Sequence, residues 1–187
     1  MRCAWVEKSK NPLMVKYHDE EWGCPVHDDQ KHFEFVVLES AQAGLSWEII
    51  LNRRENYRKA FAEFNPAKVA KFSEKKILSL LKNEGIIRNQ LKIRATVTNA
   101  QAFLNIQKEF GSFDRYIWGF VKNKTLKRRP RGRSGFRVTD KNSDALSKDL
   151  KNRGFKFMGS TICYAHMQAI GLIDEHQYNC FRAKASF

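Results

Sequence analysis

Glu39 follows an apolar run of Phe33, Phe35, Val36, Val37 and Leu38 that reads as a helix entering a protein core. Residues three and four apart share a helical face, so Glu39 stacks with Phe35, Gln42 and Ala43 rather than turning cleanly to water. Gly44-Leu45-Ser46 then reads as a helix stop followed by a fresh N-cap, which sets Trp47 at the start of the next helix. A half-buried carboxylate beside a large aromatic at a helix junction can accept hydrogen bonds from a ligand and complement its positive charge. An internal ion pair, or a carboxylate capping backbone amides, accounts for the same residue without a ligand.

Cys3 and His18 near the start of the chain, and His176 and Cys180 near its end, form a second set. His176 and Cys180 lie one helical turn apart on one face. Together the four make a Cys2His2 set suited to tetrahedral Zn²⁺, and the ion would staple both ends of the chain to the body. Neither half is a C-x-x-C, and ordinary burial of each residue is the alternative. The segment Met1-Arg2-Cys3-Ala4-Trp5 has no apolar stretch of signal-peptide type, so a cytoplasmic location is expected. In that compartment metal ligation or burial is favoured over a disulfide for the four cysteines.

Several helices must position these groups. Asp28 or Asp29 caps a helix to about residue 43, and Ser46 caps another through Ile50, Leu51, Tyr57 and Phe61. Asn65-Pro66 is a cap with proline at the first helical position, and Ser73 starts a helix holding Ile77, Leu80 and Leu81. Further helices are expected over 113–121, over 144–153 (capped by Asn142 or Ser143), and over 162–170. No segment alternates at period two for long, so the fold is read as all-α. The 187 residues fit a single domain, 1–187, expected to be a monomer, and no apolar run is long enough to span a membrane.

The net charge of +14 points to a polyanion, with nucleic acid as the first candidate. Leu81-Lys82-Asn83-Glu84-Gly85-Ile86-Ile87-Arg88 leads through a glycine turn into a helix that continues to about residue 108. This helix-hairpin-helix pattern would turn backbone N–H groups outward towards phosphate, near Arg88, Lys92 and Arg94. An ordinary αα-hairpin between packed helices is the alternative. The most basic stretch, 122–133, carries Pro130 and Gly132 and reads as an exposed, mobile loop able to meet phosphates.

Motifs along nearly the whole chain resemble those of the 3-methyladenine DNA glycosylase I family. They include Cys3-Ala4-Trp5, Tyr17-His18-Asp19, Glu21-Trp22-Gly23, Gln42-Ala43-Gly44-Leu45-Ser46-Trp47, Gly85-Ile86-Ile87-Arg88, Arg153-Gly154-Phe155-Lys156-Phe157 and Met167-Gln168-Ala169. The resemblance implies a helix-hairpin-helix glycosylase fold, DNA contacts at Gly85, Ile86, Arg88 and Lys92, and one structural zinc ion on Cys3, His18, His176 and Cys180. It also implies a base pocket of Glu39, Tyr17, Trp47, Trp5 and Trp22. Three features depart from the pattern: Met14 where some members carry tyrosine, Ser40-Ala41 beside the glutamate, and the basic loop 122–137.

The implied reaction is hydrolysis of the N-glycosidic bond of 3-methyladenine in alkylated double-stranded DNA. Glu39 would recognise and stabilise the extrahelical base, and no lysine stands placed for a Schiff base, so strand cleavage is not expected. A zinc-stabilised protein that binds alkylated or distorted DNA without cutting the bond is the alternative, although a phosphate binder needs no cation pocket.

Overall fold

The computed structural model describes residues 1–184, among which ten α-helices account for most of the ordered backbone. The central one, α2 (Asp29–Gln42), starts where the Asp28 side chain accepts the Lys31 N–H at 2.7 Å. Every residue from His32 to Ala41 is buried, which marks a helix surrounded on all sides. That includes two carboxylates, Glu34 and Glu39.

Before α2, the short α1 (Pro12–Glu20) is capped by Asn11 and carries Tyr17 and His18 on its buried side. After α2, the expected single helix is two, α3 (Trp47–Leu51) and α4 (Arg54–Ala60), with Arg53 between them making no side-chain cap. Asn65 caps α5 (Pro66–Val69), and Ser73 caps α6 (Glu74–Leu80), as read from sequence. Next, α7 (Gln90–Phe110) is the longest helix, begun by Asn89 and ended at Gly111, whose φ of +86° suits a residue without Cβ. It packs on α2 and α5, and α8 (Phe113–Gly119) folds back on it through stacked Phe103 and Phe113, 4.1 Å between centroids.

Three expectations need correction. The helix α9 (Lys141–Asn152) starts one turn earlier than expected, because Asp140 accepts the N–H groups of Asn142 and Ser143 while Ser143 Oγ accepts the Asp140 N–H. The last core helix, α10 (Ser160–Ala169), packs on α9 and α2. The fold is also not purely α: β1 (Leu126–Lys127) pairs in parallel with β2 (Ile173–Asp174). Two-residue strands leave no period-two pattern to read. This pairing fastens the basic loop, which is not the free segment its charge suggested. Arg128 donates to Tyr164 and pairs with Asp140, and Arg129 meets buried Asp174 at 2.7 Å. No helix among the described residues is long and apolar enough to cross a membrane.

Candidate active site and metal centre

Five aromatic side chains, Trp5, Tyr17, Trp22, Trp47 and Phe136, line a cavity of ≈ 260 Å³ with Glu39. Trp5 comes from the N-terminal segment, Tyr17 from α1, Trp22 from the turn after it, and Trp47 from the first position of α3. Tyr17 and Trp47 lie 5.2 Å apart between centroids, and Trp5 meets Trp22 edge-on at 5.2 Å. Met14 also lines the cavity, whereas Ser40 turns away from it, its hydroxyl donating to the Val36 carbonyl at 2.7 Å.

Glu39 is 2 % exposed and its Oε2 has no hydrogen-bond partner among the described residues. Burial pushes its pKa up to about 8, because a lone carboxylate in an apolar wall lacks the solvation its charge requires. Burial, and then the neighbouring Glu39, likewise raise the Tyr17 phenol. The indole N–H groups of Trp5 and Trp47 are buried without acceptors too. Buried polar atoms are nearly always paired in native proteins. The lining therefore offers one unpaired acid and two unpaired donors, the complement of a planar heterocycle with an amino edge and ring acceptors.

A larger cleft of ≈ 640 Å³ shares Tyr17 as a wall. Its charged lining is already matched internally: Arg54 makes paired 2.7 Å hydrogen bonds to Glu21, and Lys31 lies 3.2 Å from the same carboxylate. Of the two, the smaller cavity holds the unmatched group of catalytic type.

Beside the cavity, the donor atoms of Cys3, His18 and Cys180 lie within 4.8 Å of one another, all buried. His18 Nδ1 is 2.7 Å from Asp19 Oδ1, and His176 Nδ1 is 2.8 Å from Asp174 Oδ1. Each carboxylate engages Nδ1 and leaves Nε2 as the atom that could ligate a metal, the usual outer-shell arrangement for metal-binding histidine, although in His18 that atom also accepts the Cys3 N–H at 3.4 Å. His176 Nε2 is buried with no partner, and its ring lies 5.0 Å from that of His18 between centroids. Cys180 Sγ is 3.5 Å from His18 Nε2. Zn–S and Zn–N bonds of about 2.3 and 2.0 Å at a tetrahedral angle place their ligand atoms about that far apart. Cys3, His18 and Cys180 thus form a three-donor cluster of the kind that holds a cation, and His176, expected as the fourth ligand, lies outside that cluster with its unpartnered Nε2 nearby.

The hairpin residues separate into two groups. Gly85 sits where a Cβ would come 2.9 Å from the Asn56 side chain, and its N–H is taken by Asn83 Oδ1 at 2.9 Å. Ile86 is buried, and the Ile87 N–H donates to the Tyr57 hydroxyl at 3.1 Å. These amides are used within the fold and do not point outward as expected. Asn89 takes the Lys92 N–H, so the N–H groups of Gln90 and Leu91 at the start of α7 have no protein acceptor among the described residues. Arg88 stays exposed beside them, in a loose 3.5 Å contact with Glu84. Lys92 departs from the expected DNA-facing set: its ammonium turns inward and donates to the carbonyls of Ala41 and Ala43 at 2.8 and 2.6 Å. A cation at the C-terminal end of α2 is favoured by that helix's unpaired carbonyls and dipole.

Sequence reasoning missed Glu34, as buried as Glu39, and Gln168 and Arg137, which line the cavity from α10 and the basic loop. Glu34 stands in the same apolar run, which could have marked it; the other two are placed only by tertiary contacts.

The methyladenine glycosylase family model matches residues 5–183. DNA-3-methyladenine glycosylase 1 of Escherichia coli (strain K12) is 45% identical over 179 residues, 96% of this chain and 95% of that protein. The DNA-3-methyladenine glycosylase of Haemophilus influenzae (strain ATCC 51907 / DSM 11121 / KW20 / Rd) is 44% identical over 96% of each chain. A tyrosine-to-phenylalanine variant of a 3-methyladenine DNA glycosylase I, solved in complex with 3-methyladenine, superposes with a TM-score of 0.94 at 36% identity, covering 99% of this chain and 98% of that one. With its cavity, its hairpin and this likeness along nearly its whole length, the chain belongs to the methyladenine glycosylase family and is a DNA glycosylase.

Proposed function

We propose that this enzyme excises 3-methyladenine from alkylated duplex DNA by hydrolysing the N-glycosidic bond, leaves the strand intact, and is held together by one structural zinc ion. The observation that carries the reading is the unpaired, buried carboxyl of Glu39 inside an aromatic cavity. The relatives' names and the bound 3-methyladenine in one of them support the same substrate.

Methylation at N3 gives the adenine a positive charge. An aromatic wall favours such a ring over a neutral one by about 0.5–2 kcal/mol per cation–π contact. Extruding the nucleotide costs a few kcal/mol, least for a damaged base. The cation then meets Glu39, whose ionised form complements it and accepts from its amino edge. Breaking the C1′–N9 bond sends the electron pair to the base, which leaves neutral; water adds its oxygen to C1′ and releases a proton. The substrate carries its own activation, so Glu39 serves recognition and electrostatic stabilisation. None of the residues lining the cavity is a lysine, and Lys92 is occupied on backbone carbonyls, consistent with a glycosylase that forms no Schiff base. Cys3, His18, His176 and Cys180 would hold the zinc, which supplies a cross-link between the two ends of the chain and no step of the reaction.

Chromatography of bases released from methylated DNA tests this reading. Wild type should liberate 3-methyladenine without nicking the strand, and Glu39→Ala should release little. A protein that binds the alkylated duplex yet frees no base would be the non-catalytic binder.

A further inference from the structure

Three arginines of the loop 122–137 are committed to partners within the fold. Arg128 is engaged by Asp140 and Tyr164, Arg129 by Asp174, and Arg131 lies over the Tyr178 ring at 5.3 Å. Arg137 differs: it is exposed, lines the base cavity, and its guanidinium has no acidic or hydrogen-bonding partner among the described residues. Its backbone runs beside the carboxyl of Glu175, a 1 % exposed residue that accepts from Gln168 Nε2 at 2.6 Å and Tyr164 Oη at 3.0 Å. The preceding Phe136 packs on Trp22 of the cavity wall, 6.4 Å between centroids. A free cation thus stands at the rim of the pocket, where no other cationic side chain contributes to the lining.

A base seated in that pocket leaves its sugar at the mouth and the flanking phosphates just outside. We infer that Arg137 binds a backbone phosphate flanking the extrahelical nucleotide, making it a positioning residue that holds the glycosidic bond at the depth of Glu39. The inference rests on the proposed excision reading, but its test does not depend on base release. A charge-assisted bond to phosphate gives both affinity and orientation, while hairpin contacts alone would grip the duplex at a distance from the lesion.

The probes are a duplex with one tetrahydrofuran abasic analogue, and the same duplex with neutral methylphosphonate linkages flanking that site. Arg137→Ala should weaken binding of the first duplex about tenfold and lower the salt slope by about 1. Binding of free 3-methyladenine, followed by tryptophan fluorescence, should stay unchanged, and Arg137→Lys should recover part of the loss. Methylphosphonate should cost wild type a similar factor and cost Arg137→Ala little. Unchanged affinity and salt slope in Arg137→Ala would overturn the assignment, as would equal methylphosphonate penalties in both proteins. A wild type that releases no 3-methyladenine would sink the excision reading separately, since the binding arms measure the phosphate contact by themselves.

Discussion

Glu34 and Glu39 leave the same helix and are both all but sealed from solvent, yet only Glu34 meets a cation. Burial pushes the Glu34 carboxyl up, but Arg54 at 2.7 Å, with Lys31 and Arg58 beside it, outweighs that and holds it below its ordinary range. Glu39 has burial alone and rises to about 8. One helix therefore presents a neutralised structural acid and an acid left for a charge arriving from outside.

The first prediction concerns stability. In the fold the Glu39 carboxyl keeps its proton up to about pH 8, whereas the unfolded chain loses it near the ordinary glutamate value of 4.5. The stabilising neutral form is fully present below the unfolded value and is lost as pH rises through the folded one. Glu39→Gln should match wild type near pH 4.5 and exceed it by about 2–5 kcal/mol at pH 9, since each tenfold change in proton affinity is worth about 1.4 kcal/mol. Urea denaturation at the two pH values measures this; a constant difference would show that residue 39 does not titrate as argued.

A second prediction follows for activity. The ionised carboxyl is the form that attracts a cationic base, so kcat/KM on methylated duplex should climb with pH towards a plateau above about 8. In the complex the base's charge favours ionisation, so kcat should reach its plateau at lower pH. Glu39→Gln should be slower by at least about 100-fold and should show no such rise.

The metal centre gives the third. Metal analysis of purified protein should find about one zinc per chain. Stripping it with a chelator, or substituting His176→Ala, should lower the melting temperature markedly, because a structural ion's binding energy is folding energy. A metal-free protein that melts like the untreated one would remove the zinc from the proposal.

Lys92 and Arg88, both basic and both in the hairpin region, should behave oppositely. Lys92→Met strips two carbonyls at the end of α2 of a charged donor and should cost about 1.5–3 kcal/mol of stability with the salt slope of DNA binding unchanged. Arg88→Ala should leave stability alone and lower that slope by about 1. Thermal melts and binding titrations over a salt series separate the two.

The caps Asp28, Ser46, Asn65 and Ser73 follow an Asx or Ser rule that acts over three residues, which is why those helices were legible in the sequence, whereas Asn11-Pro12 reads as a helix breaker and α1 was missed although Asn11 caps it. Glu39 was legible because a lone acid in an apolar run is costly to bury without a partner, whereas Trp5, Tyr17 and Trp22 came from the family resemblance, and of the suspected Cys2His2 set the structure clusters Cys3, His18 and Cys180. What escaped depends on distant partners. Nothing local distinguishes Glu34 from Glu39, because the counter-charge comes from Arg54 and Arg58 on another helix. Lys92 read as a DNA contact and Arg128 and Arg129 as part of an exposed, phosphate-meeting loop, since their long stems hide how far the charged head reaches into the fold. The bridge between residues 126–127 and 173–174 was invisible because a pair of residues has no periodicity.

The Lys92 contact has a mechanical side. It ties the start of α7 to the end of α2, the helix that bears Glu39. Under the proposed reading the two ends of this tie act like a calliper locked at one opening: a nucleotide whose sugar fell short of that span would be held by its backbone without its base reaching the acid.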